Sequence, residues 1–150
     1  MTNVSDADAL ARRVADTMLS KEGTGPGWGL VIEEAREGYA RVRMLLRPDM
    51  ANGHGIVHGG MIFSLADSAF AYACNSRNAT TVAAQASISF LSPAKVGETL
   101  VAEAEERASS GRSGVYAVRI SADDGRIVAE FQGLSRQVGG AIVDPLGNTA

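Results

Sequence analysis

Residues 52–75 contain the residue types that could polarise and attack a carbonyl group. The segment begins with two histidines and four glycines, and continues as an apolar stretch, residues 61–74, whose single charged residue is Asp67. Glycines allow another molecule to approach the backbone closely, and a helix N-terminus presents unpaired N–H groups and positive potential. Gly59 could therefore polarise an electrophile. Asp67 could attack it or activate a water molecule, a choice that the sequence leaves open.

The apolar stretch predicts the helix that positions Asp67. Residues 61–74 are rich in good helix formers, lack proline and place hydrophobic residues on every side, which predicts a helix buried all round. The stretch is too short to cross a bilayer, which takes about 20 residues. Because an ionised carboxylate is costly to bury without a partner, Asp67 is either functional or a structural residue bonded to the hydroxyls of Ser64 and Ser68.

Two rival catalytic sites lack the residues that they need. A metal centre usually has three or four protein ligands, and no further histidine or suitably spaced cysteine accompanies His54 and His58. A serine nucleophile in a nucleophile elbow needs the pattern G-x-S-x-G, which does not surround Ser64. The sequence therefore predicts neither a metal site nor a Ser-His-Asp triad.

The triplet His-Gly-Gly at residues 58–60, with Asp67 eight residues after its first glycine, resembles the active-site helix of hotdog-fold acyl-CoA thioesterases. The run 63–75 is similar to the phenylacetic-acid-degradation thioesterases, the PaaI type, and the resemblance extends over roughly residues 25–140. It implies an α+β hotdog fold, an antiparallel β-sheet wrapped around a long central helix. It also implies hydrolysis of phenylacetyl-CoA or related hydroxylated aryl-acyl-CoA thioesters in aromatic degradation, with no cofactor beyond the coenzyme A of the substrate.

The resemblance also assigns roles to residues and predicts an assembly. In similar thioesterases the acid comes from one subunit and the helix-start amide from its partner. A homodimer with shared sites is therefore implied, and we expect a tetramer built as a dimer of dimers. The implied catalytic residues are Asp67, Gly59, His58 and Asn52. The implied substrate-binding residues are Gly60, Phe63, Ser68, Gln85 and Lys95.

Several of these assignments keep a structural alternative. His58 could instead be a helix-entry histidine bonded to the backbone, and Phe63 could belong to the core. Some relatives carry Ser or Thr on the strand facing the site, where this chain offers Gln85, whose amide both donates and accepts hydrogen bonds. Lys95 is a candidate contact for the CoA phosphates, although a solvated loop lysine is the simpler account.

The remaining patterns predict the elements around the central helix. Residues 5–20 form an amphipathic helix with Ser5 as its N-cap, residues 23–27 form a loop, and the tail from Gly139 is expected to be partly disordered. The predicted strands are 28–35, 39–47, 80–91, 98–108, 115–122 and 126–137. On the strand 80–91, period-two alternation places one set of residues on a common face: Val82, Ala84, Ala86, Ile88 and Phe90.

The order of elements and the composition bound the class of protein. One helix, two strands, a second helix and four strands describe a single α+β domain over residues 1–150 rather than a βαβ repeat. The net charge of −3 argues against a nucleic-acid binder. The single cysteine, Cys74, excludes a disulfide framework within the chain and fits a reducing cytoplasm. No basic-then-apolar leader is recognised, so we expect a cytoplasmic protein without a membrane partner.

Two further functions stay open at this point. A hotdog module could bind acyl-CoA as a regulator without turnover, and a hotdog hydratase would act on an enoyl thioester without releasing free thiol. The presence of Asp67 at the spacing found in thioesterases favours hydrolysis over both. Thiol release measured across a panel of aryl and alkyl acyl-CoAs distinguishes the three.

Overall fold

A computed structural model describes residues 4–147 as one antiparallel sheet with a long helix packed against it. In chain order the elements are α1 (Asp6–Lys21), α2 (Thr24–Gly27), β1 (Val31–Arg36), β2 (Tyr39–Leu45), a 3₁₀ turn (Pro48–Met50), α3 (Gly59–Cys74), β3 (Thr81–Phe90), β4 (Thr99–Ser110), β5 (Ser113–Ala122) and β6 (Ile127–Gln137). The strand order is β1-β2-β4-β5-β6-β3, and every neighbouring pair is antiparallel. The predicted α+β class with an antiparallel sheet is confirmed.

The predicted boundaries agree with the structure to within three residues, with one exception. Ser5 caps α1 as expected, because its hydroxyl accepts the N–H of Asp8 at 3.1 Å. The predicted loop 23–27 is wrong, since it contains the single helical turn α2, closed by the N–H of Trp28 on the carbonyl of Thr24 at 2.9 Å. None of the helices in the described part of the chain is long and apolar enough to cross a bilayer.

One side of α3 forms the centre of the core. Phe70 is buried between α3 and the sheet, with its ring 5.9 Å from that of Phe131 and 5.5 Å from that of Tyr116. Gly133 of β6 makes this approach possible, because a Cβ at that position would lie 2.7 Å from the Phe70 ring. Five other side chains on this part of the helix are fully buried: Leu65, Ala66, Ala69, Tyr72 and Ala73.

The opposite stripe of α3 is only partly covered by the rest of residues 4–147. Its residues are only half-buried and recur at intervals of three and four, which places them on one side of a helix. We call this set the open stripe; its residues are Phe63, Ser64, Asp67, Ser68, Ala71 and Cys74. The prediction of a helix buried all round is therefore wrong for the single chain, and Asp67 lies midway along its open stripe.

A β-bulge in β3 changes which of its residues face α3. Ala83 pairs with Ser135 and Gln85 pairs with Leu134, so Ala84 is an extra residue in the ladder. The inward-facing residues are Ala83, Ala86, Ile88 and Phe90, and the outward-facing residues are Val82, Gln85, Ser87 and Ser89. The predicted single face along the whole strand is wrong, because period-two alternation cannot register an inserted residue.

β3 also lies at the edge of the sheet, and among residues 4–147 its only strand partner is β6. The strand has 10 residues and contains neither proline nor a charged side chain. Most of it is exposed, including Val82 at 47% and Phe90 at 53%. Edge strands of soluble proteins are usually short, charged or protected against pairing. Apart from its bulge, β3 has none of these protections, so its free edge is suited to pairing with another strand.

The C-terminal end of α3 is held by a dense set of hydrogen bonds. The carboxamide of Asn75, which is buried, donates to the carbonyls of Ala71 at 2.9 Å and Thr81 at 3.0 Å, and accepts the N–H of Thr81 at 2.9 Å. Arg77 pairs with Glu106 through two N···O contacts, of 2.6 and 3.2 Å. These contacts tie the end of the helix to the start of β3 and to β4.

Asn78 holds the tail that follows β6. Its backbone is in the left-handed region, with φ at 63°, and its side-chain oxygen accepts the N–H groups of Ile142 and Val143, each at 2.9 Å. The amide nitrogen of the same side chain donates to the carbonyl of Val143 at 2.9 Å. The first part of the tail, predicted to be partly disordered, therefore contacts the body of the domain. Its last three residues, 148–150, lie outside the described residues.

Candidate active site

The loop before α3 is built around the side chain of Asn52. Its Oδ1 accepts the N–H of His54 at 2.8 Å and that of Ile56 at 3.4 Å, and its own N–H donates to the carbonyl of Ile56 at 2.7 Å. Gly55 completes the turn with a left-handed φ of 79°, which glycine adopts without strain. Asn52 thus uses its side-chain oxygen to shape the loop. Its Nδ2 has no hydrogen-bond partner among residues 4–147.

His58 is the N-cap of α3, as the backbone-bonded alternative predicted. Its Nδ1 accepts the N–H of Gly60 at 2.8 Å, and a Cβ on Gly60 would lie 2.9 Å from the same nitrogen, so a larger residue there would displace the ring. Since Nδ1 is the acceptor, the neutral ring carries its proton on Nε2. The ring is exposed, so the Nε2–H remains available to a ligand. Capping and ligand contact are therefore compatible, because they use different nitrogens.

Gly59, the first residue of α3, brings an unpaired donor to a cleft. Its N–H has no acceptor among residues 4–147, as expected for the first N–H groups of a helix. The positive end of the helix dipole lies at the same place. Gly59 borders a cleft of about 410 Å³, which is lined by Asn52, Ile56, Val57, Gly59, Ile62, Phe90, Leu91, Ser92, Pro93 and Ala94. A polarising donor and an apolar cleft therefore meet at the start of the helix.

Phe90, the last residue of β3, lies against Gly59 and was missed by the sequence analysis. A Cβ on Gly59 would be 3.0 Å from Cζ of the Phe90 ring, closer than ordinary contact. Glycine at this position therefore leaves room for both the ring and the helix backbone. The only signal in the sequence was the place of Phe90 at the end of an apolar strand, just before Ser92-Pro93.

Asp67 is half-buried and unpaired. Burial is the only resolved cause that shifts its pKa, which it raises above the ordinary value of 3.8. No hydrogen-bond donor within residues 4–147 reaches its carboxylate. The hydroxyl of Ser64 instead donates to the carbonyl of Gly60 at 2.8 Å, one turn back along α3. The alternative in which Ser64 and Ser68 satisfy Asp67 is therefore wrong, and the carboxylate keeps the basicity that burial gives it.

Cys74 lies two turns after Asp67 on the open stripe, and its thiol is weakly reactive. Burial, and secondarily the charge of Asp67, raises the pKa of its thiol to about 12. The thiolate is the nucleophilic form of cysteine, so Cys74 is a poor nucleophile at neutral pH. Within residues 4–147 no group of three or more His, Cys, Asp and Glu side chains could hold a metal ion.

Gly59 and Asp67 of one chain are too far apart to act on the same atom. They are separated by eight residues along α3, and a helix rises about 1.5 Å per residue, so the axial separation is about 12 Å. A carbonyl oxygen within hydrogen-bond distance of the Gly59 N–H is therefore out of reach of the same chain's Asp67. A site that uses both groups on one thioester needs two copies of the chain.

The other predicted substrate contacts are spread over three places. Ser68 shares the open stripe with Asp67, whereas Phe63 also packs edge-on against Phe131, with ring centres 5.3 Å apart. Gln85 alternates with the inward-facing Ala86 and so faces away from α3, and the structure does not bring it to Asp67 of its own chain. Lys95 is exposed in the loop that follows the cleft wall.

Helix α3 lies within the part of the chain that matches a known protein family. The model of the thioesterase superfamily matches residues 54–129, a span that includes the helix start, Asp67 and Phe90. The chain is 41% identical to the acyl-coenzyme A thioesterase PaaI of Escherichia coli K12, over 85% of this chain and 91% of that protein. The chain belongs to the thioesterase superfamily. The predicted enzyme class, a thioester hydrolase, and the resemblance to the PaaI type are confirmed.

Solved structures place this thioesterase in the same fold. The E. coli PaaI protein, from that organism's phenylacetic acid degradation operon, superimposes with a TM-score of 0.88 at 39% identity, covering 90% of this chain and 98% of that one. A hypothetical thioesterase protein from Streptococcus pneumoniae TIGR4, solved with coenzyme A, gives a TM-score of 0.72 at 26% identity, covering 75% of this chain and 90% of that one. The predicted hotdog fold, with the sheet around the central helix, is confirmed.

Proposed function

We propose that this thioesterase hydrolyses aryl-acyl-CoA thioesters, phenylacetyl-CoA or a hydroxylated relative, to the free acid and CoA in aromatic degradation. The proposal rests on two groups that have no partner among residues 4–147. One is the Gly59 N–H beside an apolar cleft, and the other is the half-buried carboxylate of Asp67. The similarity to a PaaI protein from a phenylacetic acid degradation operon supports the aryl substrate. The single cysteine supports a reducing compartment such as the cytoplasm.

In the proposed mechanism the thioester carbonyl oxygen accepts a hydrogen bond from the Gly59 N–H, which stabilises the negative charge that develops there. Asp67 then attacks the carbonyl carbon, or removes a proton from a water molecule that attacks it. The C–S bond breaks, CoA leaves as the thiolate and takes up a proton, and hydrolysis ends with the free acid. In the nucleophilic route, departure of the thiolate leaves the acyl group on Asp67 as a mixed anhydride. Water then cleaves this anhydride to release the free acid. Hydrolysis needs no electron acceptor, so we propose no resident cofactor.

Two neighbouring residues have supporting roles in this proposal. His58 presents its Nε2–H from the start of α3 while its Nδ1 holds the helix cap, so it is suited to orient the thioester. Asn52 borders the cleft and has a free amide nitrogen, so it is suited to donate to the substrate or to the attacking water. Lys95, exposed beyond the cleft wall, is our candidate for a CoA phosphate.

We further propose that the active unit is a dimer in which Gly59 of one chain acts with Asp67 of the other. The separation of about 12 Å along α3 supports this, since one chain cannot supply both groups to one carbonyl. The free edge of β3 and the half-buried open stripe of α3 are suited to be covered by a second copy. A dimer of dimers remains our expectation for the full assembly.

The substrate proposal is tested by measuring thiol release from a panel of acyl-CoAs with purified protein. We expect phenylacetyl-CoA or a hydroxylated aryl-acyl-CoA to have the highest kcat/KM. A long-chain acyl-CoA hydrolysed ten times more efficiently than phenylacetyl-CoA would contradict the aryl assignment. Binding of acyl-CoA without thiol release would instead indicate a regulatory module, and hydration of an enoyl-CoA without thiol release would indicate a hydratase.

The shared site is tested by complementation between two inactive variants. Asp67→Asn removes the carboxylate, and Gly59→Pro removes the N–H at the first helical position, where proline is tolerated. Each variant alone should be nearly inactive. Co-expressed with different tags, they should form mixed dimers with one intact site, and random pairing restores about a quarter of wild-type activity. Activity no greater than the sum of the two single variants would show that each site lies within one chain.

A further inference from the structure

Phe90, whose ring lies against Gly59, is the most exposed phenylalanine of the chain. Phe90 is 53% exposed at the end of β3, whereas the other phenylalanines, Phe63, Phe70 and Phe131, pack into the core. Burying a phenylalanine side chain contributes about 1.5–3 kcal/mol, so a core role would leave less of its ring in solvent. Its ring instead borders the cleft beside the unpaired N–H of Gly59.

The cleft wall that carries Phe90 is firmly anchored. Phe90 pairs with Ala129 of β6, and the chain beyond it continues to bond to the same strand. The N–H of Leu91 donates to the carbonyl of Val128 at 2.8 Å, and the hydroxyl of Ser92 donates to the carbonyl of Ile127, also at 2.8 Å. The backbone that presents the ring is therefore held in place before a ligand arrives.

The opposite wall is joined to the first at the base of the cleft. The N–H of Val57 donates to the carbonyl of Ala94 at 2.9 Å, which links the loop before α3 to the segment after β3. None of the side chains that line the cleft is charged, and most are aliphatic. A cleft of this kind fits an uncharged apolar group, and its size is within the range of small-molecule sites. We identify this group with the acyl part of the substrate.

We propose that Phe90 is a specificity-determining residue, whose ring packs against an aromatic acyl group while the Gly59 N–H binds the adjacent thioester carbonyl. This inference rests on the proposed function. An aromatic pair is favoured beyond its buried area, with ring centres about 4.5–7 Å apart, and this preference corresponds to about a 2- to 12-fold effect on kcat/KM. An alkyl acyl group in the same cleft gains the buried area without the aromatic term.

The test compares Phe90→Leu with wild type on phenylacetyl-CoA and hexanoyl-CoA. Leucine keeps an apolar side chain at the wall but removes the aromatic ring. We expect kcat/KM to fall about 2- to 12-fold for phenylacetyl-CoA and to change by less than about twofold for hexanoyl-CoA. Phe90→Tyr keeps the ring and should retain the wild-type ratio between the two substrates. Leu45→Ala, on the exposed outer face of β2, is the control and should alter neither value.

The possible failures are distinguishable. Absence of thiol release from any acyl-CoA with wild-type protein would refute the proposed function itself. If wild type is active but Phe90→Leu lowers both substrates equally, or lowers neither, the specificity role is overturned. Melting temperature and native mass are measured first, with Phe90→Met as a second variant that fills a similar volume. If neither variant folds and assembles, Phe90 is a structural residue and the proposal is also overturned.

Discussion

The polar groups at the two ends of α3 differ in whether they have hydrogen-bond partners. At the C-terminal end, Asn75 satisfies three backbone groups and Arg77 is paired with Glu106. At the N-terminal end, the N–H of Gly59 has no acceptor among residues 4–147 and borders a cleft. Both ends need partners by the same physics, because helix termini leave backbone groups unpaired. The C-terminal end is therefore closed by contacts within the chain, whereas the N-terminal end, where we propose that the thioester binds, keeps an open backbone donor.

The largest effect should come from the unpaired carboxylate between these ends. Asp67→Asn preserves shape but removes the base, or the nucleophile, and we expect kcat to fall about 10²- to 10⁴-fold. Melting temperature should be unchanged or higher, because no charge has to be buried. Steady-state kinetics and thermal melting on the same preparation check both parts. A kcat within threefold of wild type would end the catalytic assignment.

The pH dependence sharpens the same prediction. Burial raises the pKa of Asp67 above 3.8, so the folded state holds the proton more tightly than the unfolded state. The neutral acid therefore stabilises the fold at low pH, and this contribution is lost as pH rises through the raised pKa. We expect the melting temperature of wild type, relative to Asp67→Asn, to decline over that window. In the same window kcat/KM of wild type should increase. A difference in melting temperature that is constant with pH would contradict the shifted pKa.

At the N-terminal end of α3, Gly59→Pro and Gly59→Ala form a matched pair. Both add a Cβ beside the ring of Phe90, but only proline removes the N–H. We expect kcat for Gly59→Pro to lie about 10²- to 10³-fold below that of Gly59→Ala, the loss measured when an oxyanion donor is removed. Equal activities in single-turnover assays would show that this N–H does not contact the reacting carbonyl.

At the C-terminal end the prediction reverses, with stability lost and turnover kept. Asn75→Ala removes the acceptor of the Thr81 N–H and one donor each to the carbonyls of Ala71 and Thr81, and should cost about 2–4 kcal/mol of unfolding free energy. That corresponds to a melting temperature lower by about 5–15 °C. We expect kcat per folded site to stay within about twofold of wild type. A large loss of kcat with an unchanged melting temperature would erase the contrast between the two ends.

The smallest effect is expected at Ser64. Its hydroxyl donates to the carbonyl of Gly60 within the same helix, and such bonds contribute little. Ser64→Ala should change melting temperature and kcat only slightly, and serves as the control for the Asp67 variant on the open stripe. If Ser64→Ala lowered kcat as much as Asp67→Asn does, Ser64 would have to take part in the reaction.

Most of the fold could be predicted because its elements follow simple periods. The strands and α1 show their periodicity in the sequence, and α3 shows its helix-forming composition. Asp67 could be singled out because it is the only charge in an apolar helix. The start of α3 at Gly59 rather than at residue 61 depends on the His58 cap, which period alone does not reveal.

Three features could not be predicted, each for a physical reason. The bulge at Ala84 inserts a residue without a sequence signal, so Val82 faces outward and Ala83 inward, the reverse of period-two alternation counted from Ala86. The turn α2 lies in a Gly- and Pro-containing segment of low helix propensity, and its Gly27 carbonyl accepts a hydrogen bond from the distant Arg47 side chain at 3.1 Å. The contact between Phe90 and Gly59 joins the end of β3 to the start of α3. Spacing within one segment carries no information on such a contact.

The hydrogen bonds between Asn78 and the tail should slow the exchange of the Ile142 and Val143 amide protons with solvent. Ile142 and Val143 belong to no helix or strand, yet their amides are held by one side chain at the end of α3. Deuterium uptake at these amides should therefore report on opening at that end of the helix rather than on free motion of the tail. In Asn75→Ala the two amides should exchange faster, in step with Thr81, while those at the start of α3 keep their wild-type rates.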